Sequence, residues 1–370
     1  MNKKIIAVIY GGCSVEHEIS LISAESIIKN IDLDEYEIFP VYINKSGIWS
    51  KGRVDELSEL KNSVEAQSKY LIPSLSINES PKFYEVDNNQ IVNTYPIDLA
   101  FPILHGTYGE DGTVQGLFEL MGVPYVGASV IGSSVGMDKI IMKSVLNNSN
   151  LPVVDFIGFT NSQWETDKKN IVSKIVNRIT LPCFIKSADL GSSVGISKVE
   201  NEKDIEQAVE YSGKFSNRIL VEKAVSNCRE FEVSVLGNDE PVASLPGEIV
   251  PKREFYDYRA KYDDESTGLI IPADLDKKLV VEMKNFAIQA FKVLSCNGMG
   301  RIDFLMDDKS KEIFISEINT IPGFTSISMY PKLWEVSGIK YHELIKKLIG
   351  LAFEKYENNK KLEKSYDNSI

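Results

Sequence analysis

Apolar positions fall into short unbroken runs, set between turn residues and stretches of helical spacing, as in sheets buried on both faces and covered by helices. Residues 4–10 predict a first strand that stops at Gly11-Gly12. Ser14 stands where it could cap a helix carrying Ile19, Ile22 and Ile27. Residues 36–43 and 98–104 predict two more strands, the second running into His105-Gly106, so the first third reads as parallel α/β. Residues 50–96 read as an irregular polar excursion with the turn clusters Asn78-Glu79-Ser80-Pro81 and Asp87-Asn88-Asn89.

The rhythm then changes. Residues 153–159 predict a strand, 162–176 a helix, 181–187 a strand, 202–211 a helix and 218–225 a strand, with a Gly/Ser loop at 191–195. That order makes a β-α-β-β-α-β unit, helices on an antiparallel sheet. In the last third, strands are expected at 230–236 and 243–249, and a helix at 276–294. Residues 251–271 are polar and aromatic without a period, a composition expected of a lid or binding loop. A hairpin of 301–306 and 312–318 turns at Asp307-Asp308-Lys309-Ser310. Loop 319–328 precedes a C-terminal helix ending near Tyr356, and 357–370 is a polar tail.

Composition narrows the classes. Of 370 residues, 43% are hydrophobic and 25% charged, values of a globular chain with a large core. Forty-one basic against 53 acidic side chains give a net charge of −12, which argues against nucleic acid as a partner. No apolar run approaches the roughly 20 residues that cross a bilayer, so no membrane partner is expected. The N-terminal apolar run ends too early for a signal peptide. Cys13, Cys183, Cys228 and Cys296 form no CxxC pair and read as reduced thiols, so the chain is expected in the cytoplasm.

Several groups could carry chemistry. Lys186 lies on a largely buried strand that leads into Gly191-Ser192-Ser193-Val194-Gly195, a loop of small residues that lets backbone N–H groups approach a phosphate. A plain turn is the competing reading. In the hairpin, residues 301, 303 and 305 share one face, and 313, 315, 317 and 319 share another. A register set by the turn places Glu317 across from Arg301, with Asp303 one rung away. The oxygens of Asp303, Glu317 and Asn319 suit magnesium bound with nucleotide phosphates, against the alternative of a surface salt-bridge ladder. Glu222 and Lys223 end a strand where an acid could grip a ribose hydroxyl or simply be solvated. Glu16 could receive an ammonium group or favour the dipole of the first helix.

Together these stretches resemble the D-alanine–D-alanine ligase family of the ATP-grasp superfamily. The resemblance rests on GGCSVEHEIS (11–20), FPILHGTYGEDGTVQG (101–116), VGMDK (135–139), FIKSADLGSSVGISKV (184–199), VEKAV (221–225), REFEV (229–233), EFYDYRAKY (254–262), GRIDF (300–304) and EINTIPGFTSISMYP (317–331), in family order. It implies an ATP-grasp fold mixing α/β and α+β parts: an N-terminal parallel α/β domain over 1–130, a central ATP-grasp subdomain over 131–226 and a C-terminal one over 227–356. The last would carry the lid 251–271 and the metal hairpin 301–319.

The resemblance also implies a reaction. ATP phosphorylates the carboxylate of one D-alanine, and the amine of a second attacks the acyl phosphate. Lys139, Lys186, Ser192 and Lys261 then match phosphate contacts. Glu222, Lys223 and Val225 match the segment meeting adenine and ribose, with Glu230 a second ribose-side acid. Asp303, Glu317 and Asn319 match ligands of two magnesium or manganese ions, and the family leaves room for a monovalent cation. Arg301 and the Gly323 N–H match the oxyanion hole, Glu16 the site of the first ammonium, and Ser328 the contact to the second carboxylate. Tyr262 matches a lid residue linked through Ser193 to Glu16. A homodimer is implied.

The chain departs from the family pattern in places. Lys186 is followed by Ser187 where many members have proline, and four residues between Val225 and Glu230 weaken that assignment. Among competing readings, D-serine as second substrate stays open, whereas the retained Lys261-Tyr262 argues against D-lactate. A non-catalytic nucleotide-binding protein would lack a metal ligand or a phosphate lysine, and neither is lacking. A dinucleotide oxidoreductase would need a third glycine after VIYGG.

Overall fold

The computed structural model describes residues 3–53, 69–191, 194–250, 268–325 and 327–363. The chain opens with β1 (Lys4–Gly11), α1 (His17–Ile28), β2 (Tyr36–Ile43) and β3 (Trp49–Lys51). It continues with β4 (Lys69–Pro73), β5 (Lys82–Asp87), β6 (Gln90–Pro96) and β7 (Leu99–Ile103). β2 and β7 flank β1 in parallel and β3 pairs antiparallel at the edge, giving the order β3-β2-β1-β7. β1 ends at Gly11 because the chain turns there with φ +93°, and a Cβ would lie 2.1 Å from the Ile43 carbonyl oxygen. Ser14 does not cap α1. The N-cap is Glu16, and the Ser14 hydroxyl instead donates to the His105 carbonyl at 2.7 Å and accepts from the Glu16 N–H at 3.2 Å.

The excursion read as irregular contains a three-stranded antiparallel sheet, β4-β5-β6. Its turn residues were the signal of a hairpin: Asn88 and Asn89 take φ of 48° and 60°, the left-handed pair that joins β5 to β6. Phe83 and Leu71 from this sheet are buried in one cluster with Phe39 of β2. Three helices follow, α2 (Thr113–Met121), α3 (Val130–Met137) and α4 (Lys139–Asn148). Asp138 caps α4, accepting from the Ile140 and Ile141 N–H groups at 3.0 Å.

The central unit has the expected order: β8 (Phe156–Thr160), α5 (Asn161–Lys174), β9 (Cys183–Ser187), β10 (Ser197–Val199), α6 (Ile205–Gly213) and β11 (Arg218–Lys223). All its strand pairs are antiparallel, in the order β10-β9-β11-β8. β8 begins later than read from the sequence and gives way to α5 at Thr160, which forms a capping box with Gln163. The buried cluster of this unit, from Phe159 to Val221, is drawn wholly from its own residues.

The C-terminal sheet holds β12 (Cys228–Gly237), β13 (Val242–Ala243), β14 (Gly247–Val250), β15 (Gly268–Ile270), β16 (Gly298–Asp307) and β17 (Ile313–Asn319), with α7 (Lys277–Val293) between β15 and β16. Its path is β15-β14-β12-β16-β17, with β13 on β12. Of the segment expected to be a lid, residues 251–267 lie outside the described residues, and Gly268–Ile270 is a strand paired with β14. Two helices, not one, close the chain: α8 (Met329–Val336) and α9 (Tyr341–Lys360), divided at Gly338, where φ is +96°. α9 lies in one core with β1 and β7 and with Leu236 and Met299 of the C-terminal sheet.

The hairpin register differs from the one read from the turn. Asp303 faces Glu317 and Arg301 faces Asn319, with a bulge beside Asp303. Beyond the bulge, Phe304 pairs with Ile315, so Ser316 is the extra residue. That residue switches the alternation of β17. Ile313 and Ile315 point into the core, whereas Glu317 and Asn319 leave it on the face of Arg301 and Asp303. Residues 313, 315, 317 and 319 therefore do not share a face.

Candidate active site

β16 and β17 present Arg301, Asp303, Glu317 and Asn319 side by side: plain alternation turns the first two away from the core, and the bulge turns Glu317 and Asn319 to the same face. Arg301 holds Asp303 in a fork, Nε to Oδ1 and Nη2 to Oδ2, both at 2.8 Å. Its Nε also lies 3.0 Å from Glu232 of β12, a carboxylate that sequence reasoning missed. The Asn319 amide donates to Asp303 Oδ2 at 3.0 Å. Burial works against the Arg301 charge, but Asp303, Glu232 and Glu317 outweigh it and hold the guanidinium firmly protonated.

Lys139, the first residue of α4, reaches into the same mouth. Its ammonium lies 3.3 Å from Glu317 Oε2 and donates to the Leu190 carbonyl at 2.8 Å, beside the Gly/Ser loop. Lys186 on β9 is ion-paired with Glu222 on the neighbouring β11. The second oxygen of Glu222 lies 3.2 Å from Lys143, a buried lysine one turn beyond Lys139. Burial would raise the Glu222 carboxyl, yet the two ammonium groups bring it down to about 2. Burial draws Lys143 below the usual lysine range, with Glu222 opposing. The Glu222 carboxylate is thus turned to two lysines. Lys223 is exposed, and Val225 and Glu230 are half-buried beyond it.

Opposite stands the loop after β1. Glu16 is buried, and its Oε2 lies 2.9 Å from where a Cβ on Gly106 would be and 3.8 Å from where one on Gly191 would be, so it sits between the β7 loop and the Gly/Ser loop. His105 donates from Nδ1 to the Ile321 carbonyl at 2.9 Å, and burial keeps it below the usual histidine range against the pull of Glu16. Glu110 accepts from the Gly106 N–H at 2.8 Å and from the Ile321 N–H at 3.0 Å, clipping the β7 loop to the one that carries Gly323. The Ser328 hydroxyl accepts from the Thr325 N–H at 3.0 Å, and a Cβ on Gly323 would lie 2.8 Å from it. Ser192, Ser193, Lys261 and Tyr262 lie outside the described residues.

Comparison with known proteins bears on this arrangement directly. The family descriptions "D-ala D-ala ligase N-terminus" and "D-ala D-ala ligase C-terminus" match residues 5–128 and 145–350. The chain belongs to the D-alanine–D-alanine ligase family. A D-alanine–D-alanine ligase of Ruminiclostridium cellulolyticum is 45% identical over the full length of both chains. One of Clostridium acetobutylicum is also 45% identical, over 95% of this chain and 98% of its own. Among solved structures, the D-alanine–D-alanine ligase of Coxiella burnetii superposes with a TM-score of 0.83 at 34% identity, covering 98% of this chain and 97% of its own. The VanG D-Ala:D-Ser ligase of Enterococcus faecalis does so with 0.82 at 34% identity, covering 95% of this chain and all of its own. These neighbours have the ATP-grasp fold, which this family member shares.

A family that uses ATP implies a divalent metal, and the donors fit one. Two carboxylates on one rung, with an amide beside them, make a hard oxygen set too small to saturate an ion, as suits magnesium or manganese shared with phosphate oxygens. Among the described residues no group of three or more His, Cys, Asp or Glu side chains is arranged to hold a metal. Of the site residues missed in this ligase sequence, Lys143 had left a signal. Lys139, Met142, Lys143 and Leu146 are the buried stripe of α4, so two lysines occupy helical core positions. Glu232 left none, since nothing local tells which β12 residue meets Arg301.

Proposed function

We propose that this chain joins two D-alanine molecules into D-alanyl-D-alanine at the expense of ATP, through a D-alanyl phosphate, for peptidoglycan precursor synthesis. What supports the reading most is the single mouth at which Arg301, Asp303, Glu317 and Asn319 meet Lys139, with the Glu16 loop opposite. Phosphoryl transfer asks mainly for positioning and charge neutralisation. Lys139 and Lys186 hold the phosphates of ATP. Two magnesium or manganese ions, held by Asp303, Glu317 and Asn319, would neutralise the phosphate charge. Glu16 binds the ammonium of the first D-alanine, whose carboxylate attacks the γ-phosphorus as ADP leaves. Ser328 takes the carboxylate of the second, whose amine attacks the acyl carbon. Arg301 and the Gly323 N–H carry the charge that builds on the carbonyl oxygen before phosphate departs. By resemblance, the segment expected to be a lid, of which residues 251–267 lie outside the described residues, would keep water from the acyl phosphate. By resemblance the enzyme is a cytoplasmic homodimer, and sedimentation velocity reads the dimer.

The test is incubation of the purified chain with ATP, magnesium and D-alanine, with D-serine and D-lactate in competition. D-Alanyl-D-alanine should form with one phosphate released per dipeptide, and D-lactate should not be incorporated near neutral pH. The likeness to a D-Ala:D-Ser ligase makes D-serine the informative competitor. A mixed D-alanyl-D-serine as the main product would replace the second substrate in this reading, and ATP turnover with no ligated product would sink it.

A further inference from the structure

The ion pair of Lys186 and Glu222 has a third member whose place in the row matters. Lys143 Nζ lies 3.2 Å from Glu222 Oε2, while Glu222 Oε1 takes Lys186. Side-chain exposure is 1% at Lys143, 3% at Glu222 and 13% at Lys186, so the row runs from the core outward as cation, anion, cation. Lys143 also reaches toward the Ile315 carbonyl of β17, at 3.5 Å, which ties the row to the metal-side hairpin. Buried charge of this kind is a poor source of stability: an apolar side chain at 143 would complete the stripe of Met142 and Leu146 at less cost in desolvation. At 1% exposure Lys143 is also too deep to meet a ligand.

Charge balance gives it a purpose. A carboxylate with one ammonium closes a neutral pair, and a phosphate approaching Lys186 would then meet no net charge. With a second ammonium behind the carboxylate, the row carries one net positive charge, displayed at its outer end. We propose that Lys143 is a positioning residue for the phosphate site: by neutralising Glu222 from the core side, it keeps Lys186 a fixed cation that is free to hold nucleotide phosphate. The proposal rests on the reading of Lys186 as a phosphate lysine.

Ligand binding to the full chain tests it, using a non-hydrolysable imido analogue of ATP with magnesium and, separately, adenosine, which has no phosphate. Lys143→Met leaves Glu222 paired with Lys186, so no buried charge is stranded and the fold should survive. We expect triphosphate affinity to fall about tenfold or more while adenosine changes by less than about twofold. Because Lys143 acts through Lys186, the double variant Lys143→Met/Lys186→Met, made with Glu222→Gln so that no carboxylate is stranded, should bind the triphosphate less than about twofold more weakly than Lys186→Met/Glu222→Gln. Equal loss of both ligands would mean that Lys143 only packs. Additive losses in the double variant would mean that it acts independently of Lys186. Either overturns the proposal. If Lys186→Met by itself leaves triphosphate binding intact, the phosphate role of Lys186 falls, and the proposal falls with it by a separately visible route.

Discussion

Carboxylates hold the planar fork of Arg301 in one orientation: Asp303 holds two of its nitrogens and Glu232 approaches Nε. Lysine at this position would keep the charge and lose the fork, so Arg301→Lys should lower kcat by roughly 10²-fold with ATP affinity little changed. A collapse of ATP binding with normal chemistry in the bound complex would move Arg301 to the nucleotide site. Glu110 makes a different kind of claim. Burial, with the charge of Glu16 adding to it, pushes its carboxyl from 4.5 up to about 7, only partly offset by two backbone N–H bonds. The folded state therefore keeps a proton that the unfolded chain releases, so this group's contribution to stability is whole below pH 4.5 and is lost as pH rises to about 7. Glu110→Gln should remove that slope, on the order of 2 kcal/mol, in urea unfolding compared at pH 5 and pH 7.5. An unchanged difference between the two pH values would contradict the assignment. The residues of the site were legible as types in motifs. Their partners were less so, because Glu232 and Glu110 reach Arg301's neighbourhood and the Ile321 N–H only through the folded chain.

A single extra residue switches the alternation of the hairpin's second strand. The alternation of Arg301, Asp303 and Leu305 was legible, as was the pairing of the two strands, because both follow from period two and a polar turn. The bulge at Ser316 was not, since serine in a strand carries no mark of being unpaired. Deleting Ser316 should remove the bulge and make Ile315 and Glu317 consecutive rungs opposite Phe304 and Asp303, so that plain alternation keeps Ile318 inward and Glu317 and Asn319 on the face of Arg301. Turnover should survive, and stability should fall by less than about 3 kcal/mol, since no carboxylate enters the core. Ser316→Ala, which keeps the bulge, should stay close to the parent in both. Loss of all turnover in the deletion, with Ser316→Ala parent-like, would show that β17 does not keep this register without the bulge. The three-stranded sheet β4-β5-β6 was missed for a related reason. Its strands are short and half-exposed, and their turn residues look like loop composition until they pair.

Across the whole molecule the apolar cores divide unevenly. One core joins β1, β7, α1 and α9 with parts of the C-terminal sheet, whereas the core of the central unit contains only residues between Phe159 and Val221. Polar links tie that unit to α4: Arg218 to Asp138, Lys143 to Glu222, and the Lys139 N–H to the Ala188 carbonyl, with Ile140 packed on Gly158. A unit with its own core and a largely polar attachment should unfold as a unit. Ile185 is fully buried in that core, and Ile185→Ala should cost about 2–5 kcal/mol. The loss should fall on one calorimetric transition and leave the other in place. Leu348→Ala, in the joint core, should lower the other. ATP analogue and magnesium would bridge Lys186 of the central unit to Asp303 and Glu317 of the hairpin. At about 100 times the dissociation constant they should add about 2.7 kcal/mol to the central unit's transition and draw the two together. Leu348→Ala has no contact with the ligand, so a ligand-induced rise confined to its transition would place the nucleotide elsewhere. A single transition that both substitutions lower equally would mean that the polar attachment couples the units as firmly as a shared core.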